Sequence, residues 1–168
     1  MIRLEPLTGR HARDEFDCGA EPLNRWLAQT ALQHQVKGIS RTIVAISCDE
    51  SVEDASVNVA TPRVLGFYAL AAGFVLTDEL PPAASKRYPR QVPITRLGRL
   101  AIQKDLQGQG LGKLLLTDAI VRARGAAQAV GSAGIFVDAK DANAARFYGA
   151  YGFQACLDDP LKLYLAMW

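Results

Sequence analysis

The order of apolar and polar positions predicts strands and helices that alternate along most of the chain. Runs rich in β-branched and other apolar residues predict strands at 2–4, 41–48, 64–76, 97–102, 135–139, 153–156 and 161–167. Apolar residues at helical spacing predict helices at 10–16, 21–37, 111–127 and 142–151. The resulting order is β-α-α-β-β-β-α-β-α-β-β. The length fits a single domain over residues 1–168.

Proline, glycine and acidic residues mark the connections between these elements. The segment 77–93 carries four prolines, which predicts a surface connection without regular helix over most of its length. The segment 49–63 opens with acidic residues and has little to bury, so it is predicted to be a long, mobile hairpin loop. Asp141 is predicted to cap the last helix and Gly152 to end it.

The composition indicates the class of protein but does not indicate a binding partner. Hydrophobic residues make up 49% of the chain, as in a globular protein, and the net charge of +2 is too small to indicate a partner. The three cysteines lie far apart, which predicts neither a disulfide framework nor a metal site and fits a reducing cytoplasm. The first residues lack a signal-peptide core, and the longest apolar run is too short for a membrane helix. A soluble, cytoplasmic protein without membrane contact is predicted.

The most informative stretch is R-L-G-R-L-A-I-Q-K-D-L-Q-G-Q-G-L-G-K, which ends at Lys113. An apolar strand leads into Gly108, Gly110 and Gly112, and an apolar helix follows at once. Glycine allows positive φ and close approach of a ligand, and the first turn of a helix offers free N–H groups, so a phosphate site is predicted. Leu114 after Lys113 excludes a Walker A loop, and Lys113 takes the place of the third glycine of a G-x-G-x-x-G fingerprint.

The segment Q-G-Q-G-L-G after an apolar strand resembles motif A of the GNAT-type N-acetyltransferases, where this loop holds the pyrophosphate of acetyl-CoA. The predicted order of elements is similar to the α/β (α+β) fold of that family, a central, mostly antiparallel mixed sheet with a splayed central strand, flanked by helices. The resemblance implies acetyl-CoA as cofactor and a main-chain oxyanion donor at 100–102. The alternative interpretation is that the glycines serve only a tight turn and bind no ligand. The implied cofactor-binding residues are Leu100, Ala101, Ile102, Gln107, Gly108, Gln109, Gly110, Leu111, Gly112, Lys113 and, from the next motif, Asn143.

The last predicted helix carries the second part of the resemblance. The segment A-N-A-A-R-F-Y-G-A-Y-G-F is similar to motif B of the family, which implies a contact between Asn143 and the coenzyme A arm and makes Tyr148 the general acid. Phe147 and Tyr151 lie four positions apart and are predicted to form the buried face, with Tyr148 turned about 100° away toward the cleft. Tyr151 and Tyr88 are the alternative acids, and core packing is the alternative role for Tyr148.

Further segments resemble the toxin branch of the family. The segment F-D-C-G-A-E-P-L-N-R-W-L, together with R-Y-P and L-G-R-L-A, is similar to the TacT- and AtaT-like acetyltransferases of type II toxin–antitoxin pairs. Those enzymes acetylate the amino group of aminoacyl-tRNA. The resemblance implies a toxin that inhibits translation, with aminoacyl-tRNA as substrate. It also implies a ribbon-helix-helix antitoxin as partner, and it is compatible with a homodimer.

No carboxylate lies between Arg96 and Lys104, where many lysine acetyltransferases of this family place a general base. A lysine amine with a pKa of ~10.4 is neutral about once in 2,500 at pH 7, whereas an α-amino group with a pKa of ~7.7 is neutral roughly one time in six. A site without a base therefore favours α-amino substrates such as aminoacyl esters. Glu79 or a chain of waters is the alternative source of a base.

Six basic residues and no acidic residue lie between Lys86 and Lys104. A basic block is most often a solvated face, but beside a cleft it can bind the phosphates of RNA. The candidates for tRNA contact are Lys86, Arg87, Arg90, Arg96 and Arg99.

Two other functions stay open at this point. One is a housekeeping N-acetyltransferase of a small-molecule amine or a protein N-terminus. The other is a non-catalytic acyl-CoA-binding module that acts through protein contacts. Toxicity that Tyr148→Phe abolishes would indicate the toxin, harmless expression with transfer to small amines the second function, and cofactor binding without transfer the third.

Overall fold

A computed structural model describes residues 1–48 and 61–168, so most of the predicted loop at 49–63 lies outside the described residues. Apart from the start of the strand predicted at 97–102, the predicted strands and the helices from residue 111 onward are confirmed within a few residues. The helices are α1 (Glu21–Gln29), α2 (Ala31–Lys37), α3 (Pro82–Ser85), α4 (Leu111–Val130) and α5 (Ala142–Ala150). The strands are β1 (Ile2–Pro6), β2 (Arg41–Ser47), β3 (Val64–Leu76), β4 (Gln91–Ile102), β5 (Gly134–Asp138), β6 (Gln154–Ala155) and β7 (Lys162–Ala166).

The strands form a seven-stranded sheet in the order β1-β2-β3-β4-β5-β7-β6. β1 pairs antiparallel with β2, and β7 pairs antiparallel with both β5 and β6. β4 and β5 are parallel, which requires a crossover connection, and α4 lies in that connection. The register of β4 with β5 covers Thr95 to Leu97, while β4 continues to Ile102. This mixed sheet flanked by helices confirms the predicted architecture.

The chain divides into two compact units. The first comprises Met1–Ala69 with Arg99–Asp118, and the second comprises Leu70–Gly98 with Ala119–Trp168. In the first unit, the Phe67 ring lies 5.4 Å from Phe16 and 6.0 Å from Trp26, and these aromatic contacts form part of its core. In the second unit, Val75, Val92, Ile94, Phe136 and Tyr164 belong to one buried cluster.

The predicted helix at 10–16 is wrong, because tertiary contacts fix this segment in turns. Ala12 forms a bridge with Arg63 and donates its N–H to the carbonyl of Pro62 at 2.9 Å. The buried His11 ring lies with Nε2 2.7 Å from a carboxylate oxygen of Glu5, and its Nδ1 accepts the N–H of Thr8 at 3.0 Å. These partners hold the backbone away from helical geometry.

Two boundaries also differ from the prediction. The predicted helix at 21–37 is interrupted at Thr30, whose φ of −122° ends α1 and precedes α2. Strand β4 begins at Gln91, inside the segment predicted as a connection, and includes Pro93. Proline lacks an N–H, but its carbonyl still accepts a hydrogen bond from the N–H of Ala133 at 2.8 Å.

Gly134 in β5 is a position where only glycine fits. A Cβ there would lie 2.3 Å from a ring carbon of Tyr164 and 2.5 Å from the carbonyl oxygen of Leu165 on β7. Gly134→Ala is therefore expected to lower the free energy of unfolding by at least ~1–3 kcal/mol, as overpacking does. The measurement is the midpoint of urea unfolding.

Gly125→Ala is the matched control, because Gly125 lies in α4 with open space at its Cβ position. Replacing a helical glycine by alanine is expected to raise stability by up to ~1 kcal/mol. Equal unfolding midpoints for Gly134→Ala and the unchanged protein would contradict the packing argument.

Candidate active site

The glycine loop (residues 107–113) connects a short 3-10 helix to α4. Gly108 and Gly110 have φ values of +78° and +87°, a conformation that glycine adopts at little cost. A Cβ at either position would meet no atom within 4 Å. The backbone conformation, and not crowding, therefore requires glycine here, and the space beside both residues is open to a ligand.

The start of α4 makes the surroundings of the glycine loop electropositive. The carbonyl of Gly110 accepts the N–H of Leu114 at 3.2 Å, so the helix begins directly after this glycine. Helix geometry leaves the first-turn N–H groups, those of Leu111, Gly112 and Lys113, without intrahelical acceptors. The Lys113 side chain is exposed and adds a positive charge. Positive φ, free amides and the helix dipole together suit a phosphate or diphosphate ligand.

The glutamine side chains of the glycine loop bind other parts of the protein. Gln107 Nε2 donates to the carbonyl of Cys18 at 2.9 Å and to that of Ile102 at 3.1 Å. Gln109 Nε2 approaches the carbonyl of Asp105 at 3.5 Å. These side-chain amides stabilise the loop, so the main chain is the part of both residues that is available to an anion.

The end of β4 leads directly into this loop. Ala101 is buried, while Leu100 and Ile102 are partly exposed. A Cβ at Gly66 in β3 would lie 3.0 Å from the Ala101 carbonyl, so the two strands approach closely here. Strand β4 carries no acidic side chain along its whole length, Gln91–Ile102.

Tyr148 is the buried residue of α5. Its side chain is 6% exposed, whereas Phe147 and Tyr151 are only partly buried. The Tyr148 ring packs against Phe147 at a centroid distance of 5.2 Å and against Phe153 at 5.5 Å. The prediction that Phe147 and Tyr151 form the buried face is therefore wrong. A tertiary contact explains the difference, because Phe153 folds back after the helix and packs against the Tyr148 ring.

The burial of the Tyr148 ring determines the protonation state of its hydroxyl. Burial raises the pKa of Tyr148 to about 12, so the phenol keeps its proton at physiological pH. Within the described residues the hydroxyl has no hydrogen-bond partner, so its proton is not committed to another group of the protein there. A protonated hydroxyl of this kind can act as an acid but not as a base.

Two of the three alternative groups, Tyr88 and Glu79, form hydrogen bonds with other parts of the protein, and Tyr151 makes a ring contact. The Tyr88 hydroxyl accepts a hydrogen bond from Tyr164 at 3.2 Å, and the Tyr151 ring lies 5.3 Å from Phe147. Glu79 Oε2 accepts the N–H of Leu76 at 2.7 Å.

Asn143 lies exposed in the first turn of α5, where its Oδ1 accepts a hydrogen bond from Arg146. The predicted N-cap is confirmed, because Asp141 Oδ1 accepts the N–H of Ala144 at 2.8 Å. The cap fixes the start of α5 and hence the position of Asn143 along the helix.

The five candidate RNA-binding residues fall into two groups. Lys86, Arg87 and Arg90 are exposed, and Arg90 lines a cleft of about 410 Å³. Arg96 and Arg99 are partly buried and have protein partners. The exposed group is the one free to bind an anion without breaking such contacts.

Both partly buried arginines lie against aromatic rings. Arg96 forms an ion pair with Asp138 at 3.0 Å, and its guanidinium carbon lies 5.1 Å from the Phe136 centroid. The guanidinium carbon of Arg99 lies 4.1 Å from the Trp26 ring, and burial lowers the pKa of Arg99. Cation–π contacts of this kind hold both side chains in place.

Sequence reasoning missed the contacts that the segment before α1 makes at and just before the glycine loop, above all those of Cys18 with Gln107 and of Asp17 with Gln103. Asp17 is bound to Gln103 and Lys104 at the end of β4. The one signal for these contacts in the sequence is the segment F-D-C-G-A-E-P-L-N-R-W-L, whose family resemblance does not specify a contact.

Within residues 1–48 and 61–168, no group of three or more His, Cys, Asp or Glu side chains could hold a metal ion. No helix in the same ranges is long and apolar enough to cross a membrane.

A family model described as an acetyltransferase (GNAT) domain matches residues 83–162. A tRNA-acetylating toxin of Mycobacterium tuberculosis is 38% identical over 152 residues, which are 90% of this chain and 84% of that protein. The crystal structure of a tyrosine-to-phenylalanine mutant of KacT matches with a TM-score of 0.87 and 30% identity, over 99% of this chain and 95% of that one.

A structure of AtaT complexed with acetyl-methionyl-tRNAfMet matches with a TM-score of 0.85 and 30% identity, over 99% of this chain and 95% of that one. Other matching structures hold AtaT with the C-terminus of the antitoxin AtaR and acetyl-CoA, and KacTA with DNA. By its identity to these proteins over nearly its whole length, the chain belongs to the GNAT acetyltransferase family, in the toxin branch that includes TacT, KacT and AtaT.

Proposed function

We propose that this protein transfers the acetyl group of acetyl-CoA to the α-amino group of an aminoacyl-tRNA, and that it inhibits translation as the toxin of a type II toxin–antitoxin pair. The observation that carries the proposal is the glycine loop, with positive φ at Gly108 and Gly110 directly before α4. The relatives support the substrate, since one is named a tRNA-acetylating toxin and another is bound to acetyl-methionyl-tRNA.

The glycine loop fits the diphosphate of acetyl-CoA. The space at the Cβ positions of Gly108 and Gly110 is open, and the amides of the first turn of α4 supply donors. When bound, acetyl-CoA supplies an acyl thioester whose acetyl group an amine can accept. We assign the contact with its pantetheine arm to Asn143. We assign stabilisation of the negative charge on the thioester oxygen to a main-chain N–H of Leu100, Ala101 or Ile102.

Tyr148 is the residue we assign as proton donor to the sulfur that leaves. Its pKa of about 12 keeps the proton on the phenol until it is needed. Because a thiol has a pKa of only ~8.5, complete transfer to a free thiolate is uphill by ~5 kcal/mol. The hydroxyl therefore acts while the C–S bond is breaking, by a hydrogen bond that strengthens as charge develops on the sulfur.

The lack of a carboxylate on β4 favours an amine that is already neutral. An α-amino group with a pKa of ~7.7 is neutral in roughly one molecule of six at pH 7, far more often than a lysine side chain. Glu79, the alternative base, accepts a hydrogen bond from the Leu76 N–H. An aminoacyl ester supplies such an α-amino group.

We extend the proposal to the partner and the place of action. AtaT binds the C-terminus of the antitoxin AtaR, and KacTA binds DNA. By analogy this chain is expected to bind a ribbon-helix-helix antitoxin and, with it, DNA. Because aminoacyl-tRNA is made and used in the cytoplasm, the enzyme is expected to act there. The single domain and the homodimer stay predictions.

The exposed basic residues give a prediction about tRNA binding. Arg87→Ala and Arg90→Ala are each expected to raise the KM for charged tRNA several-fold and to leave the KM for acetyl-CoA unchanged. Each lost phosphate contact should reduce the slope of log KM against log salt by about 0.7–0.9. Arg10→Ala is the control, since Arg10 is also exposed but lies outside the basic block. An identical salt slope in all four proteins would contradict this assignment.

The proposed function is tested by transfer of radiolabelled acetyl from acetyl-CoA to bulk charged tRNA, with uncharged tRNA and small amines as parallel acceptors. Label on charged tRNA alone is the expected result. Equal label on charged and uncharged tRNA would exclude the aminoacyl group as the acceptor. Label on small amines alone would indicate a housekeeping acetyltransferase.

A further inference from the structure

The segment that precedes α1 is cross-linked to the residues just before the glycines of the glycine loop. The N–H of Asp17 donates to Gln103 Oε1 at 3.1 Å, and the N–H of Lys104 donates to the Asp17 carbonyl at 2.9 Å. Gln107 Nε2 donates to the Cys18 carbonyl at 2.9 Å. All three bonds join main chain to main chain or to a glutamine side chain, so they fix backbone positions.

The Asp17 carboxylate organises this segment from within. Its Oδ1 accepts the N–H of Gly19 at 2.9 Å and Nδ2 of Asn24 at 3.0 Å, while Asn24 Oδ1 accepts the N–H of Cys18 at 2.9 Å. Its Oδ2 lies 2.9 Å from Lys104 Nζ. The hydrogen bonds from Lys104, Gly19 and Asn24 hold the pKa of Asp17 down at about 2, so the group is ionised whenever the protein is folded at neutral pH.

The glutamine side chains complete the connection on the side of the glycine loop. Gln107 Nε2 also donates to the Ile102 carbonyl at 3.1 Å, which ties the end of β4 to the residue before Gly108. Gln103 is 8% exposed, and its side-chain oxygen is satisfied by Asp17. The cross-links therefore end one residue before the first glycine.

Glycine residues give a loop many conformations, and ordering them on binding opposes affinity. Gly108 and Gly110 have positive φ in the conformation that we assign to the acetyl-CoA-bound form. A loop that is anchored beforehand loses less entropy when its ligand binds, which raises affinity without any new ligand contact.

We propose that Asp17, Asn24 and Gln107 are positioning residues, whose side chains hold the glycine loop in the conformation that binds acetyl-CoA. This inference rests on the proposed function, because it takes acetyl-CoA as the ligand of the loop. The Asp17–Lys104 ion pair is a minor part of it, since these side chains are 41% and 62% exposed. The hydrogen bonds to main-chain groups carry the effect.

The test uses Asp17→Ala and Gln107→Leu in the full-length protein. Each is expected to raise the KM and the calorimetric Kd for acetyl-CoA about tenfold, the effect of one or two net hydrogen bonds. The kcat and the KM for charged tRNA should change less than about twofold. Asp17→Asn is the conservative variant and should restore most of the affinity, because its side-chain oxygen can still accept from Gly19 and Asn24. Asp14→Ala is the control, since Asp14 is an exposed carboxylate in the same segment.

The outcomes separate this inference from the proposed function. Wild-type affinity for acetyl-CoA in both variants would overturn the positioning role while leaving the acetyltransferase intact. A lower kcat with unchanged KM and a lower urea midpoint would also overturn it, because that result reflects a smaller folded fraction. If Asp17→Ala does not fold, Gln107→Leu still decides the question. A wild-type protein that binds no acetyl-CoA would overturn both proposals.

Discussion

Tyr148→Phe is expected to abolish acetyl transfer, and with it growth inhibition in expressing cells, while acetyl-CoA binding persists. The substitution removes only the hydroxyl and keeps the ring that packs against Phe147 and Phe153. Loss of a general acid lowers the rate by roughly 10²–10⁴-fold. The measurement is the single-turnover rate with charged tRNA, beside a calorimetric titration with acetyl-CoA.

The controls for this prediction are Tyr151→Phe and Tyr88→Phe, which make the same chemical change at the two alternative acids. Both should keep the transfer rate within a few-fold of wild type. The unfolding midpoint of Tyr148→Phe should also stay near wild type, because within the described residues the lost hydroxyl has no hydrogen-bond partner. A normal rate in Tyr148→Phe together with loss of activity in Tyr88→Phe would identify Tyr88 as the general acid.

The pKa of Tyr148 adds a pH dependence to the same account. An ordinary tyrosine has a pKa near ~10 and would begin to lose its proton above pH 9. Burial raises the pKa of Tyr148 to about 12, so the acid remains protonated through pH 10. The single-turnover rate should therefore not fall between pH 8 and pH 10 through loss of this proton.

The double variant Gly108→Ala with Gly110→Ala is expected to lose acetyl-CoA affinity by about 100-fold or more. An L-residue at the φ values of +78° and +87° is strained by ~1–2 kcal/mol at each position. The loop relieves this strain by leaving the binding conformation, and ~3 kcal/mol corresponds to somewhat more than a 100-fold change in Kd. Calorimetric titration with acetyl-CoA measures it.

Gly131→Ala is the matched control for backbone strain. Gly131 has a φ of +91° and open space at its Cβ position, and it follows the C-terminal end of α4. Gly131→Ala should lower the midpoint of urea unfolding and retain the acetyl-CoA affinity of the wild type. Equal affinity loss in Gly131→Ala would mean that general destabilisation, and not the glycine loop, explains the result.

The glycine loop was predictable because its information is local. Alternating glycines between an apolar strand and an apolar helix specify positive φ and a helix N-terminus within a few residues of one another, and both are found at Gly108 and Gly110. The strands were predictable for the same reason, since β-branched runs such as R-T-I-V-A-I-S become strands over almost the expected range.

Features that depend on distant residues could not be predicted in this way. Spacing within α5 cannot tell whether Tyr148 or the pair Phe147 and Tyr151 faces the core, because Phe153 beyond the helix decides it. The same holds for Gln107, whose partner Cys18 lies 89 positions away. The segment at 10–16 has helical spacing, but its bridge to Arg63 overrides that preference.

The most direct test of the account is mass spectrometry of the amino acids released by mild alkaline hydrolysis from bulk charged tRNA, after incubation with the purified protein and acetyl-CoA. Hydrolysis opens the aminoacyl ester and leaves an amide intact, so the position of the acetyl group is preserved. The account predicts at least one amino acid acetylated on its α-amino group, and none in the Tyr148→Phe reaction. Acetyl groups found only on lysine side chains or retained on the RNA would contradict it.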